Sequence, residues 1–183
     1  NSSGTGTDND PDPDPDPAPL PGDRIPGVAT FTGGLDHPWS LAFLPDASML
    51  VTERPGRLRH VSADGATLSA PVAGVPAVDA REQGGLFDVA LDPAFASNRR
   101  IYLSYAEAGT GAEAGRNGTA VARAELSADH TTLQNVVVIF QQRPKLASTK
   151  HFGGRMAFDA TGRLVVGLGD RYDFRDRAQN TTD

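Results

Sequence analysis

The sequence predicts an all-β fold of propeller type, and three observations predict it. From residue 25 onward, short apolar runs are broken every few residues by Gly, Pro and Asp, with few candidates for a helix longer than two turns. Three segments resemble one another: LAFLPDASMLVTE at 41–53, VALDPAFASNRRIYLSYAE at 89–107 and MAFDATGRLVVGLGD at 156–170. Aligned on Ala42, Ala90 and Ala157, each reads strand, Pro/Asp/Gly-containing turn, strand and closing acid, and the spacings of 48 and 67 residues lie near and above the ~40–50 of a four-stranded blade.

A strand pair repeated at this period has to bury one face against the next copy, which is the physical logic of a propeller; a β-solenoid or a sandwich accommodates the pattern too. Residues 25–183 suffice for three to four blades, so the propeller is expected to be partial, to expose edge strands and to be poorly stable alone.

Residues 1–24 are a different material. An alternating Asp-Pro tract has almost nothing to bury, and proline favours polyproline II while the aspartates repel one another, so a disordered, extended linker is expected. It reads equally as a tether or as a tail. Together with a chain that begins at Asn1, it leads us to expect an exported protein, periplasmic or extracellular, with a lipid anchor as one form of tether.

The first repeat follows GLDHPW, and the second is followed by AEAGTGAEAGRNGT at 106–119, read as a loop between strands that lengthens the second interval. The runs 136–140 and 164–168 are strand-sized, far short of the ~20 apolar residues that a bilayer demands. No membrane span is expected.

Composition narrows the partners. Seventeen Lys and Arg against 23 Asp and Glu give a formal charge of -6, with no basic stripe for successive phosphates, which argues against nucleic acid. The absence of Cys removes disulfides, thiolate metal sites and Cys nucleophiles together.

Of the four histidines, His60 and His130 read as surface residues, and His37 as positioning the start of the first repeat. None is spaced from another as a metal pair. His151 differs, because it precedes Gly153 and Gly154 on the loop that opens the third repeat. A His there can point into a central funnel, where a neutral imidazole is the standard base for an alcohol proton, with the glycines leaving room for a substrate and a flat cofactor. A structural His bonding a turn is the alternative.

The stretch HFGGR at 151–155 with LVVGLGD closing at Asp170 is similar to the signature of the soluble quinoprotein glucose and sorbosone dehydrogenases. GLDHPWSLAFLPD, EQGGLFDVALDPAF with IYLSY, and PKL resemble the aldose sugar dehydrogenases of that family. The resemblance implies a six-bladed propeller that oxidises the anomeric hydroxyl of aldoses to lactones, using pyrroloquinoline quinone (PQQ), calcium and an external electron acceptor.

Residue by residue, it implies that His151 is the general base beside the cofactor and that Gln83 bonds both sugar and quinone. It places Asp170 by the base and the sugar, where the alternative is a mere blade-closing acid like Glu53 and Glu107. Gly153, Gly154 and Arg155 complete the signature, with Arg155 read as a structural anchor.

Lys150 departs from the glucose-oxidising members, which carry an Asp there, and this favours the broader aldose type. The resemblance also implies that the cations holding the quinone and most calcium ligands lie beyond Asp183, so no metal ligand is assigned here and residues 1–183 alone are expected to be inactive. Two other readings stay open at this point. One is a propeller lactonase with Glu53 and Asp170 on a central metal; the other is a non-catalytic binding module.

Overall fold

The computed structural model describes residues 29–179, so the predicted linker at 1–24 lies outside the described residues. The described chain is built from antiparallel strands: β1 (Pro38–Phe43), β2 (Met49–Glu53) and β3 (Arg57–Val61) form one sheet, β4 (Leu86–Leu91), β5 (Arg100–Ala108), β6 (Asn117–Leu126) and β7 (Leu133–Gln141) a second, and β8 (Gly153–Phe158) and β9 (Leu164–Leu168) a third. Helix is confined to single turns at Phe95–Asn98, Gly111–Glu113 and Arg175–Gln179. Among the described residues no helix is long and apolar enough to cross a membrane.

Each of the three repeats is the first hairpin of its sheet: β1–β2, β4–β5 and β8–β9. One Asp organises the turn in each. Asp46 accepts from the Ser48 amide (3.0 Å), Asp92 from that of Ala94 (2.9 Å), and Asp159 from those of Thr161 and Arg163 (2.8 and 2.9 Å). Short side-chain acceptors close such turns by replacing a backbone partner.

The sheets pack face to face, consistent with propeller blades. Leu44, Leu50 and Leu58 of the first interlock with Leu86, Val89, Ile101, Leu103 and Tyr105 of the second, while Phe87 and Ala106 meet Phe152 at the next seam. Strand β2, buried on both faces, therefore reads as an unbroken MLVTE rather than an alternation.

Strands β1, β4 and β8 run side by side, each with a bulge near its start. A bulge leaves an amide without its ladder partner, and here a hydroxyl supplies one. Thr52 Oγ1 accepts from the Ser40 amide (3.0 Å) and donates to Phe87 O of the next sheet (2.6 Å). Ser104 Oγ repeats the latch, accepting from the Asp88 amide (3.0 Å) and donating to Gly154 O (2.5 Å). Gly167 stands at the corresponding place in the third hairpin.

Two expectations need correction. The segment 106–119 is mostly strand: Ala106, Glu107 and Ala108 pair with Thr119, Gly118 and Asn117, leaving only 109–116 as a loop. The longer second interval is explained instead by a fourth strand, β7, that the first sheet lacks. His60 and His130 are half-buried and pack ring on ring at 4.5 Å, with His60 Nε2 also bonded to Ser48 Oγ (2.9 Å). Desolvation then holds the His130 imidazole below its usual pKa, reinforced by His60.

Candidate functional site

Two loops that lead into first strands, 80–85 before β4 and 148–152 before β8, are laced together. Thr149 Oγ1 donates to Glu82 Oε2 (2.7 Å), the Gln83 amide donates to Thr149 O (3.2 Å), and the His151 amide donates to Gln83 Oε1 (2.9 Å). Arg54 fixes the first loop from below, its Nη1 donating to the carbonyls of Glu82 (2.5 Å), Ala80 and Gly84 (3.3 Å each). Both Glu82 (φ 45°) and His151 (φ 49°) hold left-handed backbone, a conformation that non-glycine residues keep only where surroundings over-determine it. This lacing does so.

The loops flank a cleft of about 510 Å³ lined by Trp39, Arg54, Glu82, Gln83, Phe87, His151, Phe152 and Gly153. Its floor is a row of tilted rings, with Trp39 to Phe87 at 5.7 Å and Phe87 to Phe152 at 5.4 Å between centroids. Flat apolar surface with a few convergent polar groups is the usual chemistry of a small-molecule site.

His151, on the cleft's lining, meets Asp170 of the neighbouring cavity, Nδ1 to Oδ1 at 2.8 Å, with both side chains about two-fifths exposed. The Tyr172 amide, donating to the same oxygen at 2.9 Å, and then the imidazole hold the Asp170 carboxyl below its usual pKa, so it stays ionised. With Nδ1–H given to that carboxylate, Nε2 carries the ring's lone pair. The Tyr172 ring stands edge-on to the imidazole at 5.1 Å, and Lys150 Nζ lies 5.0 Å over Tyr172.

Each site residue predicted from sequence has a definite place. His151, Gln83 and Asp170 form one bonded chain, although the Gln83 carbonyl is already taken by the His151 amide. Gly153 and Gly154 permit close approach, but of protein to protein. A Cβ at Gly154 would meet Phe87 Cδ2 at 2.8 Å, and one at Gly153 would meet Gly167 O at 2.7 Å. The side-chain direction at both glycines is occupied by protein, while Gly153 itself lines the cleft.

Arg155 reaches Asp88 Oδ1 and Ser40 Oγ, both at 3.3 Å. Ser40, Asp88 and Arg155 occupy the same position in the three repeats. Asp88, buried at 2% exposure, also accepts from Ser40 Oγ (2.5 Å) and the Met156 amide (2.7 Å), so one carboxylate ties all three first strands. Sequence reading missed Asp88, and its signal was the alignment of polar residues two before each repeat's Ala. The lining residues Trp39, Arg54 and Glu82 were missed as well.

Glu53 is sealed in, accepting from Arg57 Nε (2.5 Å) and the Asp36 amide (2.6 Å). Burial pushes its pKa up, but Arg57 and the amide outweigh that and hold it low. It is an internal anion paired with Arg57 and Arg59. Among the described residues no group of three or more His, Asp or Glu is arranged to hold a metal.

The family model for glucose / sorbosone dehydrogenase matches residues 35–183. Over 137 residues the chain is 53% identical to the aldose sugar dehydrogenase YliI of Escherichia coli, which takes in 74% of this chain and 36% of that protein. A solved glucose dehydrogenase, 52% identical, superposes with a TM-score of 0.79 over 85% of this chain and 47% of its own. The PQQ-bound form of an aldose sugar dehydrogenase from Streptomyces coelicolor, 26% identical, gives 0.72 over 84% of this chain and 44% of its own. The chain spans about a third of the length of the curated relatives it matches.

Proposed function

The chain belongs to the glucose / sorbosone dehydrogenase family, and on that premise we propose that it carries the proton-abstracting wall of an aldose dehydrogenase active site in a six-bladed propeller. The observation that carries the reading is the pairing of Asp170 with His151, on the lining of an aromatic-floored cleft.

His151 Nε2 takes the proton of the sugar's anomeric hydroxyl while the hydrogen on the same carbon departs as hydride, leaving a C=O bond and hence a lactone. Asp170 holds the imidazole by Nδ1 and stabilises the imidazolium that forms. Gln83 fixes the His151 backbone through Oε1, which leaves its amide nitrogen to donate to a sugar hydroxyl or a quinone oxygen. Trp39, exposed at 38% and backed by the buried Phe87 ring, offers flat apolar surface to a planar ring.

This wall fits PQQ in its aromatic floor and its amide donor. When bound, that cofactor supplies the two-electron acceptor for the hydride, to be emptied by an external acceptor. No described residue is assigned to calcium.

The test is His151→Asn in the full-length enzyme loaded with PQQ and calcium. Sugar-dependent dye reduction should fall by about 10²–10⁴-fold with the thermal midpoint unchanged. Undiminished reduction would remove His151 as the base. A wild-type enzyme that consumed lactone and never reduced dye would replace the reaction class with hydrolysis.

A further inference from the structure

Arg171 follows Asp170 and opens the polar run RYDFRDR. It is 1% exposed, the largest fully buried side chain among the described residues. Among them no carboxylate touches its guanidinium. Its donors go to oxygens of the chain around His151: Nε to Lys150 O (3.1 Å), Nη2 to Ser148 O and to Asn117 Oδ1 (2.5 Å), and Nη1 to Asn117 O (3.3 Å). Its own amide donates to His151 O (3.2 Å), and the guanidinium lies 4.0 Å over the Phe152 ring.

The carbonyls of residues 148, 150 and 151 thus all end on one residue. Gln83 holds the His151 amide from the other side. Behind Arg171, Asn117 relays a charge: its Oδ1 accepts from the guanidinium while its Nδ2 donates to Asp79 Oδ2 (2.9 Å), and Asp79 is in turn paired with Arg81 (2.6 Å). A buried cation is tolerated where its donors are used, here with Gln142 Oε1 (3.5 Å) as a further acceptor, and a counter-charge lies close by, here two hydrogen bonds away through Asn117.

We propose that Arg171 is a positioning residue for His151, locking the left-handed turn that aims the imidazole, with Asn117 and Asp79 as its support. This rests on the reading of His151 as the base. A lysine reaches only one or two of these carbonyls, and a methionine reaches none.

The experiment compares Arg171→Lys and Arg171→Met with wild type in the full-length, cofactor-loaded enzyme, by steady-state kinetics and by amide hydrogen exchange over 148–152. Met should lower kcat on the order of 100-fold, the cost of a misplacement near 1 Å, with KM moved less than about threefold. Lys should fall between, and the 148–152 amides should exchange at least about tenfold faster in both.

Equal loss through kcat and KM, or unchanged exchange in either folded variant, overturns the proposal. If Met fails to fold, the Lys variant decides by the same two readouts. A wild-type enzyme inactive on every aldose would sink the reading of His151 as base, and the exchange comparison would still judge the positioning claim.

Discussion

Glu53 ends the second strand of the first hairpin and Asp170 follows that of the third by two residues, and their surroundings have nothing in common. Strand β3 follows Glu53 and brings Arg57 and Arg59 against it, so the carboxylate is fully buried and neutralised. Glu107, in the second hairpin, is met by Lys145 and Gln141. Asp170 has no such strand beside it among the described residues; the loop before β8 offers it an imidazole instead, and both groups stay partly in water. An acid at a hairpin's end is sealed in where arginines answer it and stays partly in water where an imidazole does.

The comparison can be broken most forcefully at Glu53. Glu53→Ala removes the buried partner shared by two arginines, although Arg57 keeps Asp36 and Arg59 keeps Ser69 O, and should destabilise the full-length enzyme by about 2–3 kcal/mol in urea titration, while molecules that remain folded keep their kcat. A loss of activity without a loss of stability would erase the distinction. At Asp170 the opposite outcome is expected. Asp170→Asn should lower kcat on the order of 100-fold with the urea midpoint unmoved, since the side chain anchors an imidazole and no packed core.

A third measurement follows Asp79, whose carboxyl is held down at about 2 by Arg81 first and then Asn117. Its folded pKa lies below the usual 3.8, so its stabilisation is complete above roughly pH 4–5 and is lost as pH falls toward 2. Because Arg81 is half exposed, screening trims the contribution to about 1–2 kcal/mol. Urea titrations at pH 6 and pH 2.5 should show Asp79→Asn flattening this acid limb by that amount. The smallest effect belongs to Arg155, whose charge reaches Asp88 from a mostly exposed position: Arg155→Ala should cost no more than about 1 kcal/mol by the same titration.

What the sequence showed of the fold was what is local. Short apolar runs and the Pro/Asp/Gly-containing turns between them gave the three hairpins, because a strand and the turn that ends it are both written within a dozen residues. Residues 106–119 misled because Gly and Ala read as loop, whereas Asn117 and Thr119 are bound there by groups distant in the chain, Asp79 and Phe152.

That His151, Gln83 and Asp170 lie together was legible through resemblance. Composition could not tell Asp170 from Glu53, since the deciding partners, Arg57 and Arg59 against His151, lie on different elements. Arg171 was illegible for a related reason. A polar run signals surface by default, and only the convergence of the Ser148, Lys150 and Asn117 carbonyls on one guanidinium makes it interior.

The carboxylate of Asp88 reaches back 48 residues to Ser40 and forward 68 to Met156. Contacts across such separations are made after the local hairpins, because loop closure costs chain entropy before any bond repays it. Asp88→Asn should therefore speed unfolding in a chevron and leave the folding limb almost unmoved. During synthesis the first hairpin would emerge with its Ser40 hydroxyl unanswered until β4 arrives, and the shared wall of β1, β4 and β8 would become rigid only when the amide of Met156 closes on the waiting acid.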